Sequence, residues 1–172
     1  GSIAVTASKS ATVTSTAKLK ASATTVGNGG KITVKSEGSA DVQGTLEAKG
    51  GPQGGDGGSA EVSGSDLAFS GRVDTTAPQG QTGSLLLDPT DIDICQIVCA
   101  TSAFSIGINL ITTDVTVAAT NSITLDASLS SPGAHTLTFD APNITLNGGI
   151  SLTNASSVLD FTNSSVTTNG TV

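Results

Sequence analysis

Gly54-Gly55-Asp56-Gly57-Gly58-Ser59-Ala60-Glu61-Val62 decides the fold, because its arrangement recurs. A glycine-rich turn runs directly into a short segment that alternates apolar and polar residues. The same order appears at Gly27-Asn28-Gly29-Gly30 before Lys31-Ile32-Thr33-Val34, and at Gly80-Gln81-Thr82-Gly83 before Ser84-Leu85-Leu86-Leu87. Between the turns the first two blocks align further. Val42 matches Phe69, Gly44 matches Gly71 and Leu46 matches Val73, each 27 residues apart, and Pro52 matches Pro78 after a one-residue slip.

The C-terminal half repeats on a shorter period. Ile123-Thr124-Leu125-Asp126 returns as Ile144-Thr145-Leu146-Asn147 after 21 residues, and Leu137-Thr138-Phe139-Asp140 returns as Val158-Leu159-Asp160-Phe161 after 21 to 22. Alternation held for three to five residues describes a short strand with one face inward and Thr outward. Periods of this length are too short for a βαβ unit but suit one turn of a β-solenoid, built from several short strands. An antiparallel sandwich would need hairpin turns between most strands. The Asn-Gly pairs, Asn28-Gly29, Asn147-Gly148 and Asn169-Gly170, are too few to supply them.

Composition explains why a solenoid is suitable. The 172 residues include 26 Thr, 23 Ser and 21 Gly, but only 4 Phe and no Trp, Tyr or Met. The interior must be filled from 13 Val, 13 Leu, 11 Ile and 19 Ala. Stacked coils about 4.8 Å apart enclose a narrow channel that admits small aliphatic side chains, and Gly and Asn serve the corners. The expectation is an all-β parallel β-helix of about seven coils, a rod on the order of 35 Å long. It forms a single domain over 1–172, with longer Gly-rich coils over 1–94 and an irregular coil or loop over 95–114. Coils of about 21 residues follow over 115–172.

Net charge is −7, split as +3 over residues 1–50 and −10 over 51–172. No basic cluster could neutralise a run of phosphates, so nucleic acid is not an expected partner. The apolar run Ile106 to Ile111 is too short to span a bilayer. Because the chain opens with Gly1-Ser2, it reads as a mature product or a fragment.

Catalytic signals are sparse. His135 is the sole imidazole and lies in a turn-like stretch, Ser131-Pro132-Gly133-Ala134-His135, without a nucleophile elbow around Ser130 or Ser131. In Asp88-Pro89-Thr90-Asp91-Ile92-Asp93 an extended chain puts Asp91 and Asp93 on one face, about 6.5 Å apart, near the carboxylate separations of glycosidases. No aromatic platform stands near them in sequence, so turn formation and corner capping are the expected roles. Calcium-binding nonapeptides are absent, since Gly54-Gly55-Asp56-Gly57-Gly58 misplaces its Asp. No catalytic, cofactor or metal residue is therefore assigned.

Cys95 and Cys99 are the only thiols, and two ligands cannot close a zinc site. Fully extended they would lie about 13 Å apart, beyond the roughly 7 Å reach of a disulfide, so a bridge requires a tight bend at 95–99. Four Asn-x-Ser/Thr sequons, at Asn143, Asn154, Asn163 and Asn169, are candidate glycosylation sites.

Residues 54–94 resemble the repetitive passenger region of filamentous haemagglutinin-type bacterial adhesins. Gly57-Gly58-Ser59-Ala60-Glu61-Val62-Ser63-Gly64, Leu67 to Asp74 and above all Gly83-Ser84-Leu85-Leu86-Leu87-Asp88-Pro89 carry the likeness. The resemblance implies a right-handed parallel β-helix exported by two-partner secretion through an outer-membrane barrel, then secreted or displayed on a Gram-negative cell. It implies no catalytic residues. The expected role is adhesion, biofilm formation or a stalk, with a host or bacterial surface glycan or protein as partner. The alternatives are a β-helix polysaccharide-active enzyme using Asp91 and Asp93, or a filament subunit that associates end to end.

Overall fold

A computed structural model describes residues 1–96 and 99–169. The chain winds as coils, each contributing strands to up to three sides. The first three coils are β1 (Ser2–Ala7), β2 (Ser10–Val13) and β3 (Lys18–Lys20); β4 (Lys31–Ser36), β5 (Ser39–Val42) and β6 (Thr45–Glu47); and β7 (Ser59–Gly64), β8 (Asp66–Phe69) and β9 (Arg72–Asp74). The fourth holds β10 (Ser84–Pro89), β11 (Asp91–Cys95), β12 (Thr101–Ser102) and helix α1 (Ala103–Asn109). Then come β13 (Asp114–Ala118), β14 (Ser122–Leu125) and β15 (Leu129–Ser131); β16 (Thr136–Asp140), β17 (Asn143–Leu146) and β18 (Ile150–Leu152); and finally β19 (Val158–Thr162) and β20 (Ser165–Thr168).

All ladders between these strands are parallel, and the first side stacks seven strands in coil order, β1-β4-β7-β10-β13-β16-β19. The chain is thus a parallel β-solenoid. Register reproduces the sequence repeats: Val42 pairs with Phe69, Leu46 with Val73 and Ile123 with Ile144. In the last repeat Leu137 pairs with Leu159 and Phe139 with Phe161, fixing that period at 22 residues. Earlier coils are longer: Ser2 pairs with Lys31, 29 residues on, and Lys31 with Ser59, 28 on.

Inward side chains stack like on like. One column runs Val5, Val34, Val62, Leu87, Val117, Phe139 and Phe161, and its four middle aliphatics are fully buried. The two phenylalanines stack with ring centroids 5.9 Å apart. The glycine-rich turns have their own column, where a Cβ on Gly58 would overlap the Gly30 carbonyl oxygen and one on Gly83 would overlap that of Gly58. Coils approach too closely there for any side chain. That explains why each turn keeps a glycine just before its strand.

The fourth coil departs from the pattern. Its segment 95–114 was expected to be an irregular coil or loop; in its described part the structure has a two-residue strand and a seven-residue helix. Residues 97 and 98 of that segment lie outside the described residues. The helix has a sequence cause: Ala103, Ile106 and Leu110 are buried at spacings of three and four, and the Ser102 hydroxyl accepts the Ser105 N–H as N-cap.

Helix α1 takes the place of a third-side strand between β9 and β15, so the edge of β9 faces a helix that cannot offer ladder partners. Two side chains replace the ladder. Asn109, 1% exposed, accepts the Val73 N–H at 2.6 Å and donates to the Gly71 carbonyl at 3.1 Å. Thr112 donates to the Val73 carbonyl at 2.6 Å. On the opposite flank Gly107 lies so close to β15 that a Cβ would meet the Ser130 carbonyl oxygen.

Asn109→Leu keeps the bulk and leaves the Val73 N–H and the Gly71 carbonyl buried without partners. At about 1–3 kcal/mol for each of the two orphaned groups, the expected loss is about 2–6 kcal/mol, read by urea unfolding. A loss below about 1 kcal/mol would show that Asn109 does not hold the helix.

Candidate functional site

The second side carries eight strands for seven coils, in the order β2-β5-β8-β12-β11-β14-β17-β20. Cys95 at the end of β11 is bridged to Cys99, their Cα atoms 5.9 Å apart, and β12 lies between β8 and β11. The two older strands are wedged apart. At the near end the Thr90 N–H still bonds the Ser65 carbonyl at 3.4 Å, whereas farther on Thr101 stands between Phe69 and Ile94. Among the described residues, Leu67 and Asp91 to Asp93 consequently have no partner strand on the wedge side.

The wedge is a cleft of about 270 Å³ with Ala40, Leu67 and Ile92 at its base and Asp41, Asp66, Asp91 and Asp93 around it. Asp91 and Asp93, the sequence-level pair, share this cleft but differ in setting. The Ser122 hydroxyl at 2.5 Å and the Asn121 amide at 3.3 Å hold the Asp91 carboxyl below the usual range. Burial, and then the Asp126 carboxylate in the next coil, push Asp93 up. Among the described residues no group of three or more His, Cys, Asp or Glu is placed to hold a metal ion.

Asp126 heads a corner ladder. The Asn147 amide donates to Asp126 at 2.5 Å, and the Asn169 amide donates to Asn147 at 2.8 Å. The other sequon asparagines are exposed and engaged in the same way: Asn143 with the Asn121 carbonyl, Asn154 with the Pro132 carbonyl and Asn163 with Asp140. Gly170 and Thr171, which complete the Asn169 sequon, lie outside the described residues. His135 is 17% exposed beside Asp114, at 3.5 Å, and the fully buried Ser131 hydroxyl accepts the Gly133 N–H, so the turn does not assemble a triad.

A second cleft, of about 370 Å³, opens around the corner against α1. Arg72, the hydroxyl-bearing Ser70 and Ser102, and Phe104 and Ile108 line it. Phe104 is 70% exposed, whereas Phe69 and Phe139 are wholly buried. Arg72, the only guanidinium in the chain, forms no ion pair among the described residues. Sequence reading missed both Phe104 and Asn109; their signal was the helical spacing of Ala103, Ile106 and Leu110, too short a run to stand out in an all-β chain.

No protein-family model, curated protein or solved structure matches the chain.

Asp126→Asn preserves the corner hydrogen bond and removes a negative charge from beside Asp93. Because the folded-state value of Asp93 is raised, its ionisation opposes folding as pH climbs from the unfolded value through the folded one. The variant is expected to bring Asp93 down towards the ordinary carboxylate range and to reduce that penalty near neutral pH. Carboxyl-carbon NMR titration reads the change. An unmoved Asp93 would assign its shift to burial alone.

Proposed function

We propose that this chain is a non-catalytic structural and binding segment of a large exported bacterial surface adhesin, serving adhesion, biofilm formation or a stalk. The observation that carries the reading is a rod of plain, mutually bonded coils whose one departure, in the fourth, opens both clefts. Repetition gives length and rigidity with few specific residues, which suits an extracellular rod. The Gly83 to Pro89 sequence that carries the haemagglutinin-type resemblance leads into and forms β10, the first-side strand of that same coil. On this reading the partners are a surface glycan or protein and, during export, an outer-membrane barrel, and the protein acts outside a Gram-negative cell.

Two observations favour alternatives. The Asp91 and Asp93 carboxyls are pushed in opposite directions on one cleft, the pattern by which acid and base roles are separated. That keeps a polysaccharide-active enzyme as a second reading. The end coils leave Ile3, Val5 and Leu19 at one end, and Leu159 and Phe161 at the other, only partly buried, which would suit end-to-end stacking.

Beads coated with the protein test the proposal against cultured epithelial cells and Gram-negative biofilm. Retention several-fold above albumin-coated beads, unchanged by Asp91→Asn with Asp93→Asn, is expected. Retention at the albumin level on every surface, or release of reducing ends from a glycan that the double variant abolishes, would overturn it.

A further inference from the structure

We infer that the cleft between β9 and α1 is a saccharide subsite selective for an acidic pyranose, with Phe104 as the ring platform and Arg72 as the carboxylate partner. The inference rests on the adhesive reading and gives it a ligand class and a place.

Phe104 is costly to leave in water. Only four phenylalanines occur in the chain, and an exposed phenyl forgoes the burial that drives folding. Two of the others fill the interior completely, and Phe161 packs on Phe139. Phe104 instead points out of a helix that displaces a strand, 70% exposed beside a cleft of about 370 Å³. A flat aromatic face matches the apolar C–H face of a pyranose, and a volume of a few hundred Å³ is the scale of a small-ligand site.

Charge selects among sugars. Lys18 and Lys20 pair with Glu47, Lys31 with Glu61 and Lys49 with Asp74, so these cations are committed to neighbouring coils. Arg72, like Lys9 and Lys35, has no such partner among the described residues, and of these three it is the one that lines the cleft. A guanidinium binds a carboxylate through two parallel N–H donors. The Ser70 and Ser102 hydroxyls border the same space and can exchange hydrogen bonds with ring hydroxyls. Platform, fork and hydroxyl rim together fit a uronic acid. A peptide offers its main chain to a strand edge, and here Asn109 and Thr112 already occupy the β9 edge.

Isothermal titration of the full chain with tetragalacturonic acid, and with neutral cellotetraose as comparator, tests the inference. Tetragalacturonate is expected to bind at least about tenfold more tightly than cellotetraose, about the size of one charge-assisted contact. Phe104→Ala should weaken binding of both at least about fivefold, while Arg72→Gln should abolish the preference for the acidic sugar and its salt dependence. Both side chains are exposed, so neither change threatens folding. Equal binding of the two sugars by the unsubstituted chain, affinity untouched by Phe104→Ala, or concentration-dependent self-association that Phe104→Ala abolishes would each overturn the inference. Protein-coated beads separate the two failures: beads that adhere equally with and without Phe104 leave the adhesive reading standing and remove this subsite. Beads that fail to adhere anywhere remove the reading itself.

Discussion

Every coil depends on its neighbour for main-chain hydrogen bonds. A strand with one open edge holds a row of N–H and C=O groups that cost free energy when buried unpaired. Along the first side all seven coils meet this demand with neighbouring strands in register. The fourth cannot do so on its third side, because a helix stands there, and the Asn109 amide with the Thr112 hydroxyl supplies what a strand would have supplied to Gly71 and Val73. The rest of the rod continues past the helix only because that substitution is complete.

The same coil is where the period changes. Upstream, successive coils use glycine at the turn before the first-side strand, and Gly83 is the last of that column. Its carbonyl accepts from the buried Thr113 hydroxyl at 3.3 Å, so a side chain takes over where backbone contact ended. Downstream the coils shorten to 21 or 22 residues and asparagines hold the corners. The insertion of β12 and α1 thus joins two solenoids of different girth while keeping one continuous interior. One cost of the insertion is visible: the Thr101 hydroxyl, wholly buried between Phe69 and Ile94, has no hydrogen-bond partner among the described residues.

Much of this was legible in residues. Gly27-Asn28-Gly29-Gly30, Gly57-Gly58 and Gly83, each before an alternating strand, announce stacking, because a parallel solenoid pairs each residue with its repeat copy and the repeat spacing is the register. The Cys95–Cys99 pair could be read as a candidate bridge, and the structure joins the two sulfurs. The helix did not show, since seven residues carry less than two periods of a 3.6-residue pattern and their apolar content resembles a buried strand. The clefts were hidden for a related reason. They arise from β12 lying out of chain order, a consequence of tertiary placement that no local spacing encodes. Asp91 and Asp93 were visible as a pair, but the difference between them comes from the burial of Asp93 and from Ser122 and Asp126, a coil away.

A rod of this kind gains its specificity from the place where repetition fails. Beside the fourth coil the acidic wedge opens on one side, and on the other Arg72 of the third coil shares a cleft with the exposed Phe104 ring of α1. All of that geometry rests on α1 being locked against β9. Hydrogen exchange of the Val73 amide followed by NMR tests this most directly, because that N–H has a side-chain acceptor instead of a strand. Protection comparable to that of Leu46, its counterpart one coil earlier, is the result the account predicts. Exchange as fast as an exposed loop amide would contradict it, since the helix would then not be holding the edge of the sheet.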